Sequence, residues 1–343
     1  MDSSSFYGLN AAVLAETGST ISLSGTTVST TGTGANGVFA CGQGATVNLD
    51  SVKILCTASG AHGVDATNGG VLNLTNVNIN TSGNGAAAAI ATDRGSGTIT
   101  VNGGTVITTG TKSPGIYSTG KISVTGTSIT AKASEAVTIE GKNSVTANSC
   151  TFKTSKTCGV FIYQSTSGDA AVGSGSFTMT GGSLTAEEGP LFYSTNTDAV
   201  INLKGASLNA ASGILLKAGA DQWGTSGSNG SNVTLTADSQ ALSGSVVLDS
   251  ISTASLALKN GSSLSGAVNS DKAAKAAVLS LDSTSTWNLT GSSCLTGLTD
   301  ADSSLSNIDD NGFSIYYDSD SSANSWLNGR TITLKDGGKL IPY

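Results

Sequence analysis

Few side chains in this chain are equipped for chemistry. Its 343 residues hold 23 acidic groups, 16 basic groups and a single histidine, His62. Among the acids, Asp65 and Asp93 fall on corresponding strands of adjacent turns if the chain stacks as described below. Strand spacing and rise then place them on the order of 8 Å apart on one outer face. That is the spacing of two carboxyls that activate water against a glycosidic bond, and Arg94 follows directly. Such a pair needs one acid kept protonated, and no sequence pattern here announces the required environment. Without catalysis the two are solvated acids near a corner.

A second set is aromatic. Tyr117, Phe161, Tyr163, Phe192 and Tyr193 are expected on one sheet face, with Asp221 and Trp223 on a corner beside it. Exposed rings on a flat sheet suit stacking on sugars or docking of a partner. Rings that only stack on one another stabilise the sheet and bind nothing. A third set is a polar column, Ser22, Asn48, Asn73, Thr100, Ser123, Thr146, Thr178, Asn202, Thr234, Ala257 and Ser280. Flat threonine ladders order water, which raises ice binding, although Asn and Ser interrupt this one. Other chemistry finds no purchase. Cys41, Cys56, Cys150, Cys158 and Cys294 show no CxxC or zinc spacing and read as small buried thiols. The acids between 300 and 320 lack the spacing of a calcium loop. No cofactor or metal is implied.

The elements that must position these groups follow from composition. With 45 Gly, 3 Pro and 11% charged residues, and with Ser, Thr and Asn abundant, the chain is poor in helix formers. The net charge of −7 and the lack of a basic patch argue against nucleic acid. No apolar run reaches the roughly 18 residues of a membrane span. The first residues, Met1-Asp2-Ser3-Ser4-Ser5, do not read as a signal peptide.

Apolar–polar–apolar triplets recur along the chain: Ile21-Ser22-Leu23, Val47-Asn48-Leu49, Leu72-Asn73-Leu74, Ile99-Thr100-Val101 and Ile122-Ser123-Val124 open the series. Each has the period of a half-buried strand. A second apolar residue follows the end of each triplet at a fixed offset, as in Leu23/Val28, Leu49/Ile54, Leu74/Ile79, Val101/Val106 and Val124/Ile129. A third, aliphatic column reads Val38, Val64, Ile90, Ile116, Val137, Val160, Leu191 and Ile214. Three short strands per turn with polar corners describe a β-solenoid of about eleven coils, a rod on the order of 50 Å long. The outward neighbours of the third column read Phe39, Asp65, Ala91, Tyr117, Thr138, Phe161, Phe192 and Leu215. Two corners are long, roughly Tyr163 to Ser176 and Lys217 to Ser231. The expected division is a β-helix over 1–286 and a C-terminal capping region over 287–343, where the period ends at Trp287. Val13 fits the third column, so the chain is expected to enter mid-solenoid or to use residues 1–12 as a cap.

The segments Ser-Phe-Tyr-Gly-Leu-Asn-Ala-Ala-Val-Leu-Ala (5–15), Gly-Ala-Asn-Gly-Val-Phe-Ala (34–40), Ala-Ile-Ala-Thr-Asp-Arg-Gly (89–95) and Gly-Pro-Leu-Phe-Tyr (189–193) resemble adhesin-like right-handed parallel β-helix proteins. Ser-Thr-Trp-Asn-Leu-Thr (285–290) and Gly-Gly-Lys-Leu-Ile-Pro (337–342) are similar to that family and to autotransporter passenger domains. The resemblance implies a pectin-lyase-like, right-handed fold and an extracellular or cell-surface setting. It implies a non-catalytic rod whose partner is a glycan or a cell-surface molecule. Polysaccharide lyases and glycoside hydrolases share the fold, so an enzyme using Asp65, Asp93 and Arg94 is the alternative.

Overall fold

The triplets fold as short strands because alternating side chains can be buried only when a neighbouring turn covers them. In the computed structural model, which describes residues 2–343, the strands stack into an all-β parallel solenoid with almost no helix. The first sheet has twelve strands, from Thr20–Ser24 to Gly297–Asp300. The second has eight, from Thr27–Thr30 to Ser207–Ala210, and a four-stranded sheet from Ala241–Ser243 to Ile308–Asp309 follows it. The third has ten, from Val13–Glu16 to Ser245–Leu248. A last sheet joins Ser293–Leu295, Ile315–Tyr317, Lys339–Pro342 and Ile332–Thr333, the final pair antiparallel.

The fixed offset has a backbone cause. Two residues after each triplet the chain takes a left-handed turn, with φ of 55° at Ser51, 51° at Asn76, 59° at Gly126 and 52° at Ser149. Gly, Asn and short polar residues accept that conformation most readily, which explains their hold on this corner. Every turn then enters the second sheet in the same register. Val28, Ile54, Ile79, Val106, Ile129, Phe152, Leu184 and Leu208 stack directly on one another. Ile54, Ile79 and Leu72 are fully shielded, and each contributes about 1.5–3 kcal/mol by burial. A charge at Ile79 would break the column, since no partner could reach it.

Five expectations need correction. The solenoid makes about thirteen turns, not eleven. The ladder runs on past Trp287, which stacks between Leu264 and Ile308. Stacking persists there although the five-residue offset is lost, so the period is harder to see than the pairing. Phe192 does not face outward: it pairs with Val160, is buried, and its ring lies 6.1 Å from Phe177. The extra residue before it lets the large ring enter the core, and Tyr193 takes the outward place opposite Phe161. A bulge between Ile214 and Leu216 likewise puts Leu216, not Ile214, beneath Phe192, with Lys217 outward. In the polar column Thr236, not Thr234, lies on Asn202, because the eight-residue strand Ser231–Asp238 begins its alternation two residues early.

Residues 2–12 lie across the outer face of the third sheet. Asp2–Ser5 forms one helical turn. The Ser4 carbonyl accepts from Asn36 Nδ2 at 3.0 Å, and the Phe6 carbonyl accepts from Thr67 Oγ1 at 2.8 Å. Gly8 sits with positive φ against the Phe39 ring, where a Cβ would come within 2.4 Å of a ring carbon. Phe39 is thereby sealed although it points away from the core.

Candidate functional site

The functional candidates gather on the third sheet, because both long corners leave it on the same side. Strand Val160–Tyr163 leads into one corner and strand Ile214–Ala218 into the other. Asn229, buried, donates from Nδ2 to the carbonyls of Asp221 (2.7 Å) and Trp223 (2.8 Å) and so folds the second corner. Asn196 Nδ2 donates to the Gln164 carbonyl at 2.7 Å and holds the first.

The corners deliver an aromatic stack. Phe161 lies 4.6 Å from Tyr163 at 12°, and 5.3 Å from Tyr193 at 24°. Trp223 closes on Tyr163 at 5.4 Å. Phe161, Tyr193 and Trp223 remain half-buried, while Tyr163 is buried. The Tyr193 hydroxyl donates to Asp221 Oδ2 at 2.8 Å, and the Lys217 ammonium sits 5.1 Å from the Tyr193 ring centre. Burial and the Asp221 carboxylate push the Tyr193 hydroxyl pKa up, so it stays a donor. Rings, a carboxylate and an ammonium thus share one partly exposed edge.

Beneath this stack lies a carboxylate whose part the sequence reading missed. Glu140 is buried, and its Oε2 accepts from Tyr117 (2.5 Å) and Tyr163 (2.8 Å) hydroxyls. Its Oε1 accepts from Ser165 on the first corner. Tyr117 therefore stands outside the stack but joins Tyr163 through Glu140. Burial raises both tyrosine pKa values, and the neighbouring charge adds to this. The signal was available in the outward column, where Glu140 falls beside Tyr163 on the next strand.

The acids expected on an open face are instead enclosed. Asp65 is fully buried and Asp93 nearly so, under the segment that docks at Phe6 and Gly8. One oxygen of each, together with one ring nitrogen of buried His62, lie within 4.8 Å of one another, closer than the expected 8 Å. All three are buried, Asp65 beside sealed Phe39 on the preceding turn. Both Asp65 oxygens and His62 Nδ1 lack a hydrogen-bond partner. Desolvation holds the Asp65 carboxyl well above the carboxylate range, and the Asp93 charge pushes it further. Desolvation also lifts Asp93 to about 7, against a hydrogen bond from the Arg94 N–H. His62 is pushed down to about 4 by burial. Arg94 lies on the rim, its guanidinium 3.8 Å from the Phe6 ring centre and 2.9 Å from Asp169. Among the described residues no helix is long and apolar enough to cross a membrane. All five cysteines are unbridged, and only Cys41 is not buried.

Compared with known protein families, curated proteins and solved structures, the chain matches none of them, so its fold and the geometry above carry the functional argument.

Proposed function

We propose that this chain is a non-catalytic, adhesin-like right-handed β-helix rod of the cell surface or extracellular space, and that it binds carbohydrate at the edge formed by Tyr193, Trp223, Asp221 and Lys217. The observation that carries the reading is the stack itself. Two long corners converge to set Trp223 and Tyr193 beside a carboxylate and an ammonium group. Sugar rings offer apolar faces for aromatic stacking and hydroxyls for charged acceptors and donors. Loops held on a rigid scaffold are the usual place for such sites. The enzyme alternative draws less support. A polymer has no path to Asp65 while residues 2–12 stay docked, and its acid lacks the water-exposed opposite face that hydrolysis needs.

The test is binding of the full chain to an immobilised glycan panel, with Tyr193→Ala and Trp223→Ala beside it. Loss of about tenfold or more in both variants, with circular dichroism unchanged, is expected. Binding that survives both substitutions, or no binding to any glycan, removes the proposal. Product release from a polysaccharide, abolished by Asp93→Asn, would restore the enzyme instead.

A further inference from the structure

We propose that His62, Asp65 and Asp93 form a buried binding site for a divalent transition-metal ion, with zinc as the best-fitting chemistry. His62 and Asp65 come from one turn of the solenoid and Asp93 from the next, so an ion held by all three staples successive turns. Their ligand atoms lie within 4.8 Å of one another. A point equidistant from three atoms at that limit is about 2.8 Å from each, against about 2.0–2.2 Å for zinc bonds to nitrogen and carboxylate oxygen. Rotations of less than about 1 Å at the side-chain ends close that gap.

The second observation is the unmet bonding. By hydrogen-bond geometry both oxygens of fully buried Asp65 and the Nδ1 of His62 lack a partner, although the Ala66 N–H lies close enough to Asp65 to offset part of its burial. Buried polar atoms in that state are uncommon in folded proteins and point to an absent partner. A cation held by an Asp65 oxygen would supply such a partner. The outward position next to Asp65 on the following turn is Ala91, which puts no further polar group beside the site. Binding a divalent ion displaces the protons of the two acids, and the resulting pair of carboxylates matches its charge. One imidazole and two carboxylates suit zinc, whereas calcium takes six to eight oxygens. Three protein ligands leave a fourth position for water.

The experiment uses the full chain stripped with EDTA, incubated with zinc chloride, desalted and assayed by atomic emission. The expected result is about one zinc per chain and a melting temperature that rises with zinc and falls on chelation. Asp65→Asn and His62→Gln should each weaken zinc binding by about tenfold or more. Zinc absent from folded wild-type protein, or held equally by both variants, overturns the proposal. Cobalt on the wild-type chain gives a reading that does not depend on variants folding. Absorption in the visible without a thiolate charge-transfer band is expected. A thiolate band would assign the ion to a cysteine and overturn the site.

Discussion

Replacing Tyr163 with phenylalanine removes one hydroxyl and leaves the ring. That hydroxyl donates to Glu140 Oε2 at 2.8 Å in a shielded place, while the ring lies on Phe161 at 4.6 Å and meets Trp223 at 5.4 Å. A hydrogen bond to a charged acceptor contributes about 1.5–3 kcal/mol, and that is the expected loss of stability for Tyr163→Phe. Glu140→Gln keeps the shape and discards the charge, so the two changes should be coupled by about 1–2 kcal/mol in a double-mutant cycle. Native-state hydrogen exchange reads this locally, because the Gly141 N–H is bonded to the Tyr163 carbonyl at 2.9 Å. Glycan binding should change by less than about twofold, since the rings stay stacked. A coupling below about 0.3 kcal/mol would mean that Glu140 does not organise this face, and the account of the site's rigidity would fall.

Phe192→Ala should cost about 3–5 kcal/mol by urea denaturation and leave glycan binding intact, because Phe192 belongs to the core. Asp310→Asn would turn an amide toward the Gly338 and Gly312 N–H groups, now 2.7 and 3.2 Å from Oδ2, and should cost about 2–3 kcal/mol. Burial alone pushes the Asp310 carboxyl up, but backbone N–H groups of Asp336, Gly338 and Gly312 outweigh it and hold its pKa below 3.8. Its contribution is therefore present above 3.8 and lost as pH falls through the folded value. Exchange at residues 309–343 should accelerate in acid before the rest, and Asp310→Asn should abolish that early step. Gly126→Ala should cost about 1 kcal/mol, for strain only, since a Cβ there meets nothing. Gly182→Ala should cost several times more in thermal melts, because its Cβ would fall 2.0 Å from the Cys150 carbonyl oxygen. Thermal hysteresis should be absent: Asn73 already donates to Asn48 at 2.9 Å, so the polar column spends donors on itself.

The sequence carried the solenoid plainly where a corner imposed one spacing. Leu49/Ile54 and Leu74/Ile79 could be paired by counting because Ser51 and Asn76 make the same left-handed turn. Phe192 was misplaced because Leu191 precedes it: two adjacent apolar residues satisfy either register, and only contact with Phe177 decides between them. Thr234 was misplaced for a similar reason, since Val233, Leu235 and Ala237 alternate over one long strand. The enclosure of Asp65 was out of reach. Its cover comes from Phe6 and Gly8, far away along the chain, and their short polar neighbours carry no pattern that announces docking. The aromatic edge was half legible. Tyr163, Tyr193 and Trp223 were placed together by the long corners, but Glu140 as their anchor required the outward ladder to be read together with its donors.

Strands Val137–Glu140 and Ser144–Asn148 are joined by three residues, whereas Tyr163 and Gly175 are separated by eleven, and the first sheet stays in step across both junctions. Lengthening at this exit is therefore silent to the shaft. The same freedom makes the 164–174 and 219–230 stretches natural grafting points for foreign recognition loops, so long as Ser165 and Asn229 are kept.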